Sequence, residues 1–416
     1  MNRMAERAGK RSRKKAFIWN IIGSVVNAGA TMVLTIVVTR LAGVEEGGIL
    51  GLAFGLCQVF ATIANYEVRP FQSTDLEEQF QFSEYYGLRI VTCTCMIILC
   101  AGYIFGLKYT GNKASVIFAI CMFKMLDAFS DVFQGMFQQK DHLEYAGQAL
   151  ALRVFLSSVS YAVVLKITDN SVWAAWIMPV VSALCIVMFD MRIARHFVLH
   201  MVPKFNVIAS KKIMIACLPF FASAFMNMFI LNATKIQVDE IVPSLQGYWT
   251  PIYMPAAIIN LFSIFAFRPM LTTLRAQWNE KKKRPFLNII KALLGWVAIV
   301  TIGALIGAYW IGIPVLELLY GLTLESHKKA LLIVLLGGGF NALATVLYYV
   351  ITVMRRQYFL LLGDGITFVA TLVITPFMVC HAALVGAALA YLCSMLIRFF
   401  GFTIITVYGY KKRMKM

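Results

Sequence analysis

Apolar runs of about 20 residues recur from one end of this chain to the other, and each is long enough to cross a hydrocarbon layer of roughly 30 Å at 1.5 Å per residue. With no water inside such a layer, every backbone N–H and C=O must be paired within the segment, so the runs are expected to be helices. They lie near residues 16–40, 47–68, 86–107, 114–136, 148–167, 171–190, 212–234, 248–268, 288–311, 329–353, 358–379 and 383–408. The expected class is an all-α integral membrane protein with about 12 transmembrane helices. At 416 residues, 60% hydrophobic and 14% charged, the chain carries more apolar surface than a single soluble core can bury.

A net charge of +18 would suit nucleic acid, so the location of the charge decides. Of the 38 Lys and Arg, 29 fall on the side of the N-terminus, seven on or near the other side, and two (Lys124 and Arg398) within spans. This is the positive-inside bias, which predicts a multi-pass protein with both termini cytoplasmic. The clusters KRSRKK, EKKKRP and KKRMK are expected to anchor the chain on anionic membrane lipids. No connection is long enough to fold as a nucleic-acid-binding domain, so no nucleic-acid partner is expected. The nine cysteines lie in spans or at their edges without a paired framework and are expected to be small buried hydrophobes.

The second half restates the first at an offset of about 197 residues. KKAFIWNIIGSVVNAGATMVLTIVVTR (14–40) has a counterpart in KKIMIACLPFFASAFMNMFILNATK (211–235), each with a leading Lys pair, an internal Asn (Asn27, Asn227) and a closing cation, Arg40 or Lys235. Arg69-Pro70 and Arg268-Pro269 then end the next span in each half. The repeat predicts two six-helix bundles, residues 1–205 and 206–416. Six spans per half give both the same orientation, so a pseudo-twofold axis along the membrane normal and an interfacial cavity are expected. Each Pro is expected to end its helix, and each Arg either snorkels to the headgroups or lines a cytoplasmic mouth.

VTRLAGVEEGG (38–48) resembles the junction between the first two helices of Wzx-type polysaccharide and O-antigen flippases, within the multidrug/oligosaccharidyl-lipid/polysaccharide exporter superfamily. Those proteins often carry Arg-Leu-Leu-Gly followed by Tyr-Gly; here Ala42 stands for Leu and Gly47 for Tyr. VLELLYG (315–321) is similar to the family's segment before its tenth helix, so the resemblance covers nearly the whole chain. It implies a MATE-like pair of bundles in a bacterial cytoplasmic membrane, working by alternating access. It implies as cargo an undecaprenyl-pyrophosphate-linked oligosaccharide, flipped to the outer leaflet for surface polysaccharide assembly. Polysaccharide polymerase and glycosyltransferases are the implied partners.

Within the spans, CMFKMLDAFSDVFQG (121–135) places Lys124, Asp127 and Asp131 at i, i+3 and i+7, on one face of a helix. Ionised groups at that depth cost at least roughly 2.5 kcal/mol each, so the face should meet protein or water. Either Lys124 and Asp127 neutralise each other and set packing, or the face lines a cavity, with Lys124 open to an anionic headgroup and Asp131 able to take a proton or Na⁺. Arg40 and Lys235 are expected either to compensate a pyrophosphate or to snorkel. Arg153 and Arg398 are candidates of the same type, Arg69 and Arg268 join them if they line a mouth, and Asp364 either couples an ion or shapes its helix. Asn260 and Asn341 suit sugar hydroxyls or interhelical bonds, GGG at 337–339 predicts close helix packing, and Trp173, Trp176, Trp249 and Trp310 suit an aromatic belt.

The five histidines lack metal-ligand spacing, and no nucleophile–base pattern or phosphate-binding loop is present. Neither a cofactor nor an enzymatic activity is expected. The rival reading, a multidrug or cation antiporter of the same superfamily, calls for acidic walls, whereas cations here at least match the carboxylates.

Overall fold

The computed structural model describes residues 2–75, 77–198, 201–267, 270–280 and 282–415, and among these every regular element is a helix. The chain runs α1 (Asn2–Ala42), α2 (Val44–Asn65), α3 (Val68–Thr74), α4 (Phe82–Gly106), α5 (Gly111–Gln139), α6 (Leu143–Thr168), α7 (Ser171–Cys185) and α8 (Arg192–Ala194). It continues with α9 (Val207–Ile241), α10 (Gln246–Phe267), α11 (Leu271–Asn279), α12 (Lys283–Gly307), α13 (Ile313–Tyr320), α14 (Lys328–Val353) and α15 (Gln357–Lys415). A π-helical stretch, Ile186–Met191, carries α7 into α8, and another, Ala308–Gly312, carries α12 into α13. α15 is broken at Ala382–Ala383, where φ and ψ leave the helical region, so its two arms supply the last two spans.

Nine stretches of described helix are long and apolar enough to cross a membrane, the last containing both arms of α15. α5 and α10, of 29 and 22 residues, hold the fourth and eighth predicted spans. Large apolar side chains such as Ile98, Phe105, Ile299, Trp310, Ile366 and Ile404 are exposed, the arrangement expected where the solvent is lipid.

Two compact units divide the chain, Met1–Phe225 and Met226–Met416. In the first unit α5 is central, packed by α2, α3, α4, α6 and α7. In the second the equivalent fourth span, α14, is central, packed by α10, α12 and α15. The GGG triplet explains how. A Cβ on Gly337 would press on Tyr391 and Leu392 of α15, one on Gly338 on Ala256 of α10, and one on Gly339 on Thr301 of α12. Successive residues turn by about 100° around a helix, so three adjacent glycines let three neighbours approach three sides.

The junction of α1 and α2 is equally explicit. Gly43 has φ 94° and ψ 176°, a region that residues with a Cβ avoid. Gly47, where the resembled family has Tyr, lies against Thr39 with no room for a side chain. Glu45 and Glu46 occupy the first turn of α2, where carboxylates suit the positive end of the helix dipole.

Three expectations are corrected. Pro70 does not end the second span: α2 stops at Asn65, Tyr66 and Glu67 take left-handed φ of 44° and 51°, and Pro70 sits in the opening turn of α3, where a missing N–H costs nothing. Trp249 is fully buried, unlike the exposed Trp173 and Trp310, because α10 turns it into the second unit. Cys95 and Cys380 are exposed on apolar helices, while six of the other cysteines are buried.

Candidate functional site

The charges on α5 organise the first unit. Lys124 Nζ lies 2.9 Å from Asp127 Oδ2, within one turn, and 3.4 Å from Asn27 Oδ1 on α1. The other oxygen, Asp127 Oδ1, accepts from Arg153 Nε of α6 at 3.0 Å, with Arg153 Nη2 at 2.9 Å. Arg153 extends further, its Nη1 donating to Ser130 Oγ at 2.5 Å and standing 3.7 Å from Asp190 Oδ2 in the π-helical stretch after α7. Ser130 donates in turn to Asp190 Oδ1 at 2.8 Å.

One turn along α5 the pattern repeats. Asp131 Oδ1 is 2.9 Å from Arg69 Nη1 of α3, and Asp131 Oδ2 is 3.2 Å from Arg89 Nη2 of α4. Arg69 also donates to Gln134 Oε1 at 3.0 Å, and Gln134 Nε2 donates to Ser130 at 3.2 Å, which joins the two clusters. Glu67, in the break between α2 and α3, lies within electrostatic reach of Arg89 and Asp131.

The break places Arg69 and Arg89. Carbonyls in the last turn of a helix lose their backbone donors. At the end of α2 the Ala64 carbonyl accepts instead from Arg89 Nη1 at 2.5 Å and Thr92 Oγ1 at 2.8 Å. That bond fixes Arg89 beside Asp131, while the reversal at Tyr66 and Glu67 starts α3 where Arg69 can reach α5.

The cations divide by exposure. Arg153 and Arg89 are sealed, at 0% and 1%, whereas Lys124 and Arg69 are 14% and 26% exposed. Each of Asp127 and Asp131 is thus held by one sealed guanidinium and one accessible cation. Removing one member of a buried ion pair costs about 3–5 kcal/mol, because a desolvated charge is left behind. A carboxylate with two cations avoids most of that cost when only one departs.

The sequence candidates therefore separate. Lys124, Asp127, Asp131, Arg153 and Arg69 are brought into one network. Arg40 lies outside it, exposed in the last turn of α1. Lys235, in the second unit, is buried, its Nζ 3.3 Å from Asn232 Oδ1 and 4.8 Å from the centroid of the Tyr253 ring. Asp364 is fully buried and pairs with Arg398 at 3.0 Å, while Arg398 donates to Asn341 at 3.4 Å; Asn260 accepts from Thr345 at 3.0 Å. Both Asn bonds are interhelical. Arg268 lies outside the described residues.

Nothing in the local sequence distinguishes Arg89 or Asp190. Arg89 is a lone cation four residues into its span and Asp190 the last residue of another, positions that ordinarily face an interface. Their signal is tertiary. A cavity of about 360 Å³ in the second unit is lined by apolar residues including Pro255, Ile259, Val300, Ala304, Leu331 and Leu335. It offers no charged group to a headgroup.

No protein-family model matches the sequence, and no curated protein sequence does. Solved structures share the fold across nearly its whole length. An inward-facing multidrug resistance MATE family transporter of the MOP superfamily superposes with a TM-score of 0.68 at 11% identity, over 95% of this chain and 99% of that one. The lipid II flippase MurJ, inward closed, gives 0.65 at 14% identity over 96% and 89%. A MOP superfamily transporter from Pyrococcus furiosus, described by the reverse polarity of its binding pocket, gives 0.59 at 12% identity over 97% and 96%. The fold is that of these multi-pass membrane transporters.

Proposed function

We propose that this chain, with the MOP transporter fold as its premise, is a flippase for an undecaprenyl-pyrophosphate-linked oligosaccharide, moving it from the inner to the outer leaflet during surface polysaccharide assembly. One observation carries the reading: two accessible cations, Lys124 and Arg69, stand on a chain of ion pairs among membrane-spanning helices. A pyrophosphate leaving water needs such cations, and their carboxylate partners each keep a guanidinium, Arg153 or Arg89. The fold likeness to a lipid II flippase supports a lipid-linked cargo. The sequence resemblance to Wzx-type flippases supports an O-antigen-like oligosaccharide, with polymerase and glycosyltransferases as partners.

Transport by alternating access, with both termini in the bacterial cytoplasm, follows from the same reading. Na⁺ or H⁺ coupling is proposed for Asp127 and Asp131 in the first unit and for Asp364 in the second. The antiporter reading has a fold neighbour in the multidrug transporter. It is weaker because a carrier of cationic drugs calls for net acidic walls, whereas Lys124, Arg153, Arg69 and Arg89 at least match the carboxylates around them.

The test is reconstitution in proteoliposomes with a fluorescent polyprenyl-pyrophosphate oligosaccharide. Transfer between leaflets above protein-free vesicles is expected, with loss in Lys124→Ala. Absence of transfer by the unmodified protein rejects the flippase, and full activity in Lys124→Ala and Arg69→Ala, alone and together, rejects a cationic path.

A further inference from the structure

Two carboxylates, one turn apart on α5, are each clamped in the same way. Asp127 lies between Arg153 and Lys124, and Asp131 between Arg89 and Arg69. In each clamp the guanidinium has other work that holds it in place: Arg153 also meets Ser130 and Asp190, and Arg89 also meets the Ala64 carbonyl. The second cation is more weakly committed. Beyond its carboxylate, Lys124 has the Asn27 amide oxygen at 3.4 Å and the face of Phe123 at 5.3 Å. Arg69 has the amide oxygens of Gln134 at 3.0 Å and Gln138 at 3.4 Å. Amide oxygens are neutral acceptors that a phosphate outbids, because its oxygens add the attraction of a full negative charge for the cation.

We propose that Lys124 and Arg69 are exchangeable ligands: a phosphate or pyrophosphate anion takes Lys124 from Asp127 and Arg69 from Asp131, while Arg153 and Arg89 remain and each carboxylate keeps one guanidinium. This rests on the flippase reading and assigns the headgroup site within it. The exchange is a partner swap with no covalent change. Each cation that turns to the anion lets go of its carboxylate, so an empty site carries no bare cation, and the carboxylates, with Asp190 beside Arg153 and Glu67 beside Arg89, oppose the anion's entry. The carboxylates are then competitors of the anion, which separates this arrangement from a plain cationic pocket. The two stations lie about 6 Å apart along the helix axis, four residues at 1.5 Å each, so the headgroup can pass from one to the next.

Competition fixes the direction of the test. Calorimetric titration of the purified full chain with inorganic pyrophosphate, in detergent at low salt, is expected to show binding that weakens about tenfold or more in Lys124→Gln and recovers in Lys124→Arg. Asp127→Asn is expected to bind about tenfold tighter, because Lys124 no longer has to be drawn from a carboxylate. That increase is expected to vanish in the Lys124→Gln background, a coupling that a purely structural ion pair does not produce. Asp131→Asn with Arg69→Gln repeats the cycle at the second station and keeps the test open if either variant of the first fails to fold.

Unchanged or weaker binding in both Asp→Asn variants, with the unmodified protein binding well, overturns the exchange and leaves the flippase reading intact. No binding of pyrophosphate by the unmodified protein overturns both. Repeating the titration in nanodiscs with and without phosphatidylglycerol identifies the source of the anion. Loss of pyrophosphate binding only in the anionic bilayer assigns the stations to bulk lipid headgroups, still by exchange, and counts against the cargo.

Discussion

Arg153 on α6 holds Asp127 on α5 at 2.9 Å, with the guanidinium wholly buried and the carboxylate 16% exposed. A charge sealed on one side and open on the other gives the two partners of Asp127 different duties. Arg153 is needed for the unit to fold around a carboxylate, and Lys124 is available to something else.

That asymmetry is measurable as stability. Arg153→Ala leaves Asp127 and Asp190 without their shared guanidinium and is expected to cost about 3–5 kcal/mol. Lys124→Ala, which leaves Asp127 with Arg153, is expected to cost about 1 kcal/mol or less. Thermal unfolding in detergent compares them, and equal losses would remove the distinction.

The second unit contains a simpler pair. Arg398→Leu strips the guanidinium from a fully buried Asp364 and is expected to destabilise by about 3–5 kcal/mol. The double variant Asp364→Leu/Arg398→Leu, which removes both charges, is expected to recover most of that loss. A double variant no better than the single one would mean that other interactions of Asp364 dominate.

The glycines of α14 and α12 separate by what surrounds them. A Cβ at Gly338 would lie 2.8 Å from Ala256 Cβ and 2.9 Å from its Cα, so Gly338→Val is expected to cost about 1–3 kcal/mol. Gly303 on α12 has nothing within 4 Å of that position, and Gly303→Ala is expected to stay within about 0.5 kcal/mol. Melting temperatures of the two variants in one detergent settle it.

Gly43 isolates backbone from sterics. Nothing lies within 4 Å of its would-be Cβ, yet φ 94° with ψ 176° is open to glycine alone. Gly43→Ala is expected to cost about 1–3 kcal/mol through the backbone alone. A melting temperature equal to that of the unmodified chain would show that the junction of α1 and α2 adapts.

Orientation is tested separately. Fluorescent protein fused at the C-terminus is expected to fluoresce, because the distribution of Lys and Arg along the sequence predicts both termini in the cytoplasm. A dark but stably inserted fusion would invert the topology.

The amino-acid order by itself determined the spans, since length and hydropathy are local quantities that decide whether a segment can leave water. It also determined the shared face of Lys124, Asp127 and Asp131, because helical period alone aligns residues three and seven apart. The GGG packing of α14 was legible for the same reason: the lack of a side chain is a local fact.

Only the tertiary structure decided which charges meet. Arg89 and Asp190 are single ions near span ends, and nothing local distinguishes them from interfacial anchors. Arg69 reaches Asp131 because two left-handed residues, Tyr66 and Glu67, turn the chain after α2, and neither is a glycine that would announce the turn. Arg40 and Lys235 occupy like places in the repeat yet end in unlike surroundings, one exposed and one buried. Local pattern sets where a charge sits along its helix; its partner depends on the rotation and spacing of neighbouring helices, which arise only once they pack.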